Sequence, residues 1–298
     1  MIFDIQTEDV EYLSHQGLSL RARIYRPHGA GPFPAMVDVH GGAWIEGNLL
    51  GNDRINRPVA AGGVVIMAID YRLPPAGIYP CSVADVNYAV RWLKKNAERF
   101  GARAELVGAM GTSAGGHLAV LAGLKPYDPR YAELPLQDGE RFDARVNCVV
   151  TMWPVICPLT RYRENIDRKQ RDDQLHAGRV GAGLDQMKYW VSEAAMADGS
   201  PVLALERGDH VGTPDMLYVQ ATGDLLHPRH SMDRFCAAYR KAGGRVEELL
   251  VKGEPYDLVR SMPDSPEATR AVRGIIAFIN ASKERAGAQR LLQTEAQS

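Results

Sequence analysis

The chain has 298 residues, of which 45% are hydrophobic and 24% charged, as is typical of a globular protein with a sizeable core. The formal net charge of −1 gives no electrostatic reason to expect nucleic acid or an anionic membrane as a partner. The N-terminal residues show no secretory signal and no apolar run reaches membrane-spanning length, so a cytoplasmic location is predicted. The four cysteines lie far apart without a Cys-x-x-Cys pair, which favours reduced thiols.

Strand and helix patterns alternate along most of the chain. Residues 8–13 and 18–26 predict a hairpin around His15-Gln16-Gly17. Further strands are predicted at residues 35–40, 64–69, 104–110, 146–152, 216–221 and 246–251, and helices at 51–61, 83–100, 118–123, 229–242 and 265–281. Because continuous apolar runs are typical of strands covered on both faces, we predict an α/β fold in which helices cover both faces of a mostly parallel sheet.

The stretch from about residue 155 to 210 breaks this alternation. It is polar, and five basic residues lie close together in it, which we interpret as a solvated helix face. These residues are Arg161, Arg163, Arg168, Lys169 and Arg171. We predict one domain over residues 1–298, with this stretch as a cap or lid insertion and a disordered tail at about 284–298.

Gly111-Thr112-Ser113-Ala114-Gly115 is the most informative motif, because it stands between a predicted strand and a predicted helix. A strand, Gly-x-Ser-x-Gly and a helix form the nucleophile elbow of serine hydrolases. The glycines permit a turn too tight for side chains, and the turn lifts the serine hydroxyl above the sheet. Ser113 is therefore the candidate nucleophile. The N–H of Ala114, at the helix N-terminus, is a candidate donor to a developing oxyanion.

A second glycine motif, His40-Gly41-Gly42-Ala43-Trp44, follows the strand predicted at residues 35–40. An oxyanion hole requires backbone N–H groups beside a space that side chains would block. Gly41 and Gly42 are therefore candidate oxyanion donors together with Ala114.

Taken together, the chain resembles the α/β-hydrolase fold from about residue 18 to 280, and within it the hormone-sensitive-lipase-like and bodyguard/feruloyl-esterase-like carboxylesterases. The resemblance rests on blocks in the expected order: His40–Trp44, Asp70-Tyr71-Arg72-Leu73-Pro74-Pro75, the elbow, and Gly223-Asp224 after a strand. It implies that Asp224 is the catalytic acid and that His40, Asp70, Tyr71 and Arg72 are structural. His117, one turn after Ser113, is expected to be a buried, hydrogen-bonded histidine.

The chain departs from this family at the expected catalytic histidine. The segment after the last strand reads Gly253-Glu254-Pro255-Tyr256-Asp257-Leu258, so Tyr256 stands where the family has histidine. A serine hydroxyl needs a base of pKa near 7, whereas only about one tyrosine in 10³ is ionised at neutral pH. The general base is therefore atypical.

Three interpretations remain open. In the first, another histidine serves: His227, three residues after Asp224, is the leading candidate, ahead of His230 and His210. In the second, Tyr256 transfers a proton in a lyase, dehydratase or cyclase, as in some plant relatives of this family. In the third, the protein only binds a ligand, as does a hormone receptor of the same family that lacks the same histidine.

The resemblance implies a small to medium carboxylic ester or amide as substrate. Trp44 and Trp153 are the aromatic residues predicted to line the substrate pocket. The histidines lack metal-ligand spacing and no nucleotide-binding fingerprint is present, so no cofactor and no metal are expected. The sequence does not determine the oligomeric state.

Overall fold

In the computed structural model, the described residues are 2–15, 17–136, 141–171, 181 and 183–295. The predicted hairpin is present as two antiparallel strands, although Gln16 at its turn lies outside these residues. The eight strands are β1 (Ile5–His15), β2 (Leu18–Pro27), β3 (Phe33–Val39), β4 (Val65–Ile69), β5 (Ala102–Thr112), β6 (Cys148–Met152), β7 (Asp215–Ala221) and β8 (Val246–Val251).

All eight strands form one sheet in the order β1-β2-β4-β3-β5-β6-β7-β8. β2 pairs antiparallel with both β1 and β4, and every other pairing is parallel. The predicted α/β class with a mostly parallel sheet is confirmed.

The helices lie between successive strands or after the last one. They are α1 (Asp53–Ala61), α2 (Cys81–Lys95), α3 (Ser113–Leu124), α4 (Pro158–Gln170), α5 (Met187–Trp190), α6 (Glu193–Asp198), α7 (Pro201–Arg207), α8 (Arg229–Lys241), α9 (Leu258–Ser261) and α10 (Pro266–Glu295), with a 3₁₀ turn at Glu98–Phe100. Even the 30-residue α10, like the other described helices, lacks the apolar run that a membrane span requires.

Alternate side chains of the central strands enter two separate cores. In β4, Val65, Met67 and Ile69 join a core that contains residues of α2 and α3. Ile66 and Ala68 point to the other face and join a core that contains residues of α1 and α10. Because neighbouring side chains of a strand alternate between faces, a fully apolar strand requires helices on both.

Two sequence expectations differ from the structure. The tail predicted from about residue 284 is helical as far as Glu295, since α10 extends 14 residues beyond the predicted end at 281. The predicted cap contains the four helices α4 to α7, but residues 172–180 and 182 within it lie outside the described part of the chain. The division into one domain with a cap stays a prediction.

The parallel register brings the ends of six strands, β3 to β8, to one edge of the sheet. Val39 of β3 pairs with Gly111 of β5, and Thr112 of β5 pairs with Met152 of β6. β6, β7 and β8 continue in parallel register, so their carboxyl ends lie at the same edge. The segments that follow β3, β5, β7 and β8 carry Gly41, Ser113, Asp224 and Tyr256, which explains how residues far apart in sequence meet here.

One buried ion pair ties the segment after β4 to α2. The side chain of Asp85 is fully buried, and its Oδ1 lies 2.8 Å from Nη2 and 2.9 Å from Nε of Arg72. The backbone N–H of Arg72 donates to the other carboxylate oxygen at 2.8 Å. Arg72, for which the family resemblance implies a structural role, therefore pairs directly with Asp85.

We expect Asp85→Asn to lower the free energy of unfolding by about 3–5 kcal/mol, because the guanidinium of Arg72 would lose its buried counter-charge. Chemical denaturation with guanidinium chloride measures this change. The control is Asp9→Asn, which removes the more exposed pair of Asp9 with Arg23 and should cost less than about 1 kcal/mol. Equal losses in the two variants would contradict the assignment.

Candidate active site

Ser113 occupies a strained turn at the junction of β5 and α3. Its φ is +50°, in the left-handed region that most residues avoid. The residue is partly exposed, whereas Thr112 and Ala114 on either side are buried. The turn thus exposes the hydroxyl at the strand-end edge of the sheet, as the elbow motif predicts.

The glycines of the elbow are required by close approach of the backbone. A Cβ at Gly111 would lie 2.6 Å from the carbonyl oxygen of Gly115, and a Cβ at Gly115 would overlap the carbonyl oxygens of Val39 and His40. The first turn of α3 therefore lies directly against the end of β3. A side chain at either glycine would push Ser113 away from the loop that begins at Gly41.

His227 lies beside the serine. Its Nε2 is 3.4 Å from Oγ of Ser113, and its Nδ1 is 3.0 Å from Oδ2 of Asp224. With a proton on Nδ1, the imidazole donates to the carboxylate and leaves Nε2 to accept from the serine hydroxyl. His227 is 4% exposed and Asp224 is 7% exposed, so bulk water competes little for the bond between them.

The loop after β7 holds Asp224 through its own backbone. Oδ1 of Asp224 accepts from the N–H groups of Leu226 and His227 at 2.8 and 2.9 Å. The carbonyl of His227 accepts from the side-chain amide of Gln220 on β7. One carboxylate oxygen therefore orders the loop and the other faces the imidazole ring.

The glycine loop lies against the elbow. A Cβ at Gly41 would lie 3.3 Å from Cβ of Ser113, which shows how close the two backbones are. Among the described residues, neither Gly41 nor Gly42 donates its N–H to another backbone group. Ala114 is the second residue of α3, so its N–H has no intrahelical acceptor. None of the three predicted donors therefore has its N–H engaged by a backbone acceptor in the described part of the chain, and Gly41 lies close to Ser113.

Tyr256 lies next to His227, and of the two it is the histidine that is within hydrogen-bond distance of Ser113. The two ring centroids are 5.5 Å apart, and the tyrosine ring also meets Trp153 edge-on at 6.5 Å. Within the described residues, its hydroxyl makes no hydrogen bond to Ser113. Burial and then the nearby Asp257 carboxylate raise the pKa of Tyr256, which keeps the phenol protonated.

The pocket roles of Trp44 and Trp153 stay predictions: both indoles are buried in the cores, and neither lines the cavity beside His227. Trp44 stacks on Tyr189 and meets Trp190 and His117 edge-on, because the loop turns its side chain inward beneath the cap. Trp153 packs in the second core.

His117 and His40 have structural positions. His117 is fully buried, accepts from Nε1 of Trp44 at 3.2 Å and donates from Nε2 to the carbonyl of Gly199 at 2.7 Å. Burial lowers the pKa of His117 to about 4, so this bridge is neutral. His40 stacks on Tyr71 with centroids 4.3 Å apart, and burial lowers its pKa to about 4 as well.

A cavity opens beside His227, between the segment after β6, helix α4 and the loop after β7. Its wall includes Val155, Arg161, Asn165, Leu226, His227 and Ser231. The sequence interpretation placed Arg161 on a solvated face, and this is wrong, because Arg161 packs inward over the Trp44 ring at 5.9 Å. No periodicity in this polar stretch distinguishes Arg161 from its neighbours.

The described ranges contain no cluster of three or more histidine, cysteine or acidic side chains placed to hold a metal ion.

Comparisons with known proteins agree with this geometry. The family described as BD-FAE matches residues 23–196. The esterase LipC of Mycobacterium tuberculosis is 31% identical over 260 residues, which are 84% of this chain and 58% of LipC. The versiconal hemiacetal acetate esterase of Dothistroma septosporum is 30% identical over 87% of this chain and 77% of that protein.

Solved structures show the same fold. A hyperthermophilic esterase from Pyrobaculum calidifontis superimposes with a TM-score of 0.72 at 24% identity, covering 93% of this chain and 85% of that one. Since the family match covers more than half of the sequence and agrees with the elbow, the glycine loop and the sheet order, the chain belongs to the BD-FAE family of α/β-hydrolase carboxylesterases.

Proposed function

We propose that this protein hydrolyses small to medium carboxylic esters or amides through an acyl-enzyme on Ser113. The observation that carries the proposal is the hydrogen-bonded series from Oγ of Ser113 to His227 and on to Asp224. In this assignment His227 is the atypical general base, which corresponds to the first of the three interpretations of the sequence. The naming of LipC and the versiconal hemiacetal acetate protein as esterases supports the reaction class.

The proposed mechanism begins with removal of the serine proton. Nε2 of His227 takes the proton as Oγ of Ser113 attacks the carbonyl carbon, and Asp224 stabilises the resulting imidazolium through Nδ1. The distance of 3.4 Å between Oγ and Nε2 is long for a hydrogen bond, as is common in unliganded serine hydrolases. The same imidazolium then protonates the leaving alcohol or amine.

The tetrahedral oxygen requires donors on the other side of the carbonyl. We assign this role to the N–H groups of Gly41, Gly42 and Ala114, none of which donates to a backbone acceptor among the described residues. Loss of a single such donor typically costs about 10²–10³ in turnover. Water activated by His227 then attacks the acyl-enzyme and releases the acid.

Tyr256 has no proton-transfer role in this proposal. Its raised pKa makes the phenolate rarer than in a free tyrosine, and His227 already occupies the position of a base. The ring instead covers one side of the imidazole and restricts its rotation. The tests below can still favour the lyase, dehydratase and cyclase alternatives, which require proton transfer by Tyr256. They can also favour the ligand-binding alternative.

A fluorophosphonate probe should label the wild-type protein and fail to label Ser113→Ala, because only an activated serine beside an oxyanion hole reacts with it. Intact-mass spectrometry measures one adduct per chain. Labelling that persists in Ser113→Ala would contradict the nucleophile assignment. Absence of labelling in the wild type would favour the ligand-binding alternative.

His227→Ala should lower kcat for 4-nitrophenyl acetate on the order of 10⁴- to 10⁶-fold, the range for loss of a triad histidine. His210→Ala is the matched control. It lies on the loop joined to the far end of α3 through the bond from Gly212 N–H to Leu124 carbonyl, and it should retain full turnover. Similar losses in both variants would contradict the role of His227.

Tyr256→Phe should lower kcat for the same ester by less than about tenfold, which corresponds to about 1.4 kcal/mol, because the ring contact with His227 survives. Tyr256→His should give no gain, since the position of the base is already filled. A loss in Tyr256→Phe as large as that in His227→Ala would show instead that the phenol transfers a proton. In that case the reaction mixture would also be analysed for elimination products.

A further inference from the structure

The cavity beside His227 contains an arginine, Arg161, that forms no ion pair with the described part of the chain. Arg161 is the fourth residue of α4, and it lines the same cavity as His227. Among the described residues no carboxylate lies within ion-pair distance of its guanidinium. Its polar contact is a long one, from Nη1 to Oε1 of Gln186 at 3.4 Å.

Arg163, on the same helix, has a different environment from that of Arg161. Arg163 is exposed and pairs with Glu193 at 2.6 Å. Arg161 lies inward, where burial lowers its pKa to about 10. Arg161 is half-buried, and an arginine partly removed from water without an acidic partner is destabilising, because the lost hydration is not offset by an ion pair. The interaction with the face of Trp44 offsets only a small part of that loss.

The described side chains of the cavity wall carry a net positive charge. Arg168 and Glu164 also line the wall, and Glu164 lies 3.6 Å from Nε2 of His230. The buried amide of Asn165 donates to the carbonyl of Arg161, while its Oδ1 has no partner. The wall therefore has unused hydrogen-bonding capacity next to the imidazole of His227.

We propose that Arg161 binds a carboxylate carried by the substrate, so that the enzyme prefers esters or amides with a free acid group. This inference rests on the proposed hydrolase function and names its substrate class. A planar guanidinium matches a carboxylate through two parallel hydrogen bonds. A phosphate dianion would require further buried donors, whereas Arg168 is the only other cation among the described residues of the wall.

The position of the arginine does not decide whether the acid group belongs to the acyl or the alcohol half of the ester. Two matched pairs of substrates distinguish these cases. Monomethyl glutarate and methyl pentanoate differ by a carboxylate on the acyl side. The compounds 4-acetoxybenzoate and methyl 4-acetoxybenzoate differ by a carboxylate on the alcohol side. For each pair, the ratio of kcat/KM for the charged ester to that for the neutral ester is measured.

The wild-type ratio should exceed one for at least one pair. Arg161→Met should lower that ratio about 10- to 100-fold, the usual range for losing a hydrogen bond to a charged group, and Arg161→Lys should lower it less. The matched control Arg163→Met should keep the wild-type ratio. The kcat/KM for the neutral ester reports on folding and chemistry in each variant, so a general loss of activity leaves the ratio unchanged.

A binding measurement separates this inference from the hydrolase proposal. Calorimetry with Ser113→Ala protein compares monomethyl glutarate with dimethyl glutarate, and 4-acetoxybenzoate with its methyl ester. Tighter binding of a monoacid, abolished by adding Arg161→Met, supports the carboxylate site even if hydrolysis fails. Equal binding within both pairs, or a wild-type kcat/KM ratio that Arg161→Met leaves unchanged, would overturn it while leaving the serine mechanism intact.

Discussion

The close contact between the start of α3 and the end of β3 is the constraint on which the site depends. Gly115 lies against the carbonyls of Val39 and His40 with no space for a Cβ. This contact places the strained Ser113 beside the backbone of Gly41, so that nucleophile and candidate oxyanion donors share one small volume. The parallel pairing of β3 with β5 maintains the arrangement, because it fixes where both strands end.

The proposed acid and the proposed base, Asp224 and His227, come from one short loop. Asp224 bonds the backbone of residues 226 and 227 through one oxygen and the ring of His227 through the other. Their relative geometry is therefore local. Only the distance from His227 to Ser113 depends on the position of β7 relative to β5, two strands away in the sheet. Tyr256, in the segment after β8, lies next to this loop with its ring tilted against the imidazole of His227.

The cap is joined to the catalytic edge by aromatic residues and a neutral histidine. Trp44 of the glycine loop donates to His117 of α3, and His117 donates to the carbonyl of Gly199 between α6 and α7. Trp44 also lies beneath Arg161 of α4. Residues of α4, the glycine loop, α3 and the segment between α6 and α7 therefore meet around the Trp44 indole.

The sequence by itself determined the α/β class, the elbow at Ser113 and the glycine loop, because strand periodicity and close-packed glycines are local properties of the chain. It named His227 as a candidate but could not choose it, since the choice rests on a distance between two loops. Only the tertiary structure decided that Trp44 turns into the core and that Arg161 lines the cavity, because both depend on how the cap packs against the sheet edge.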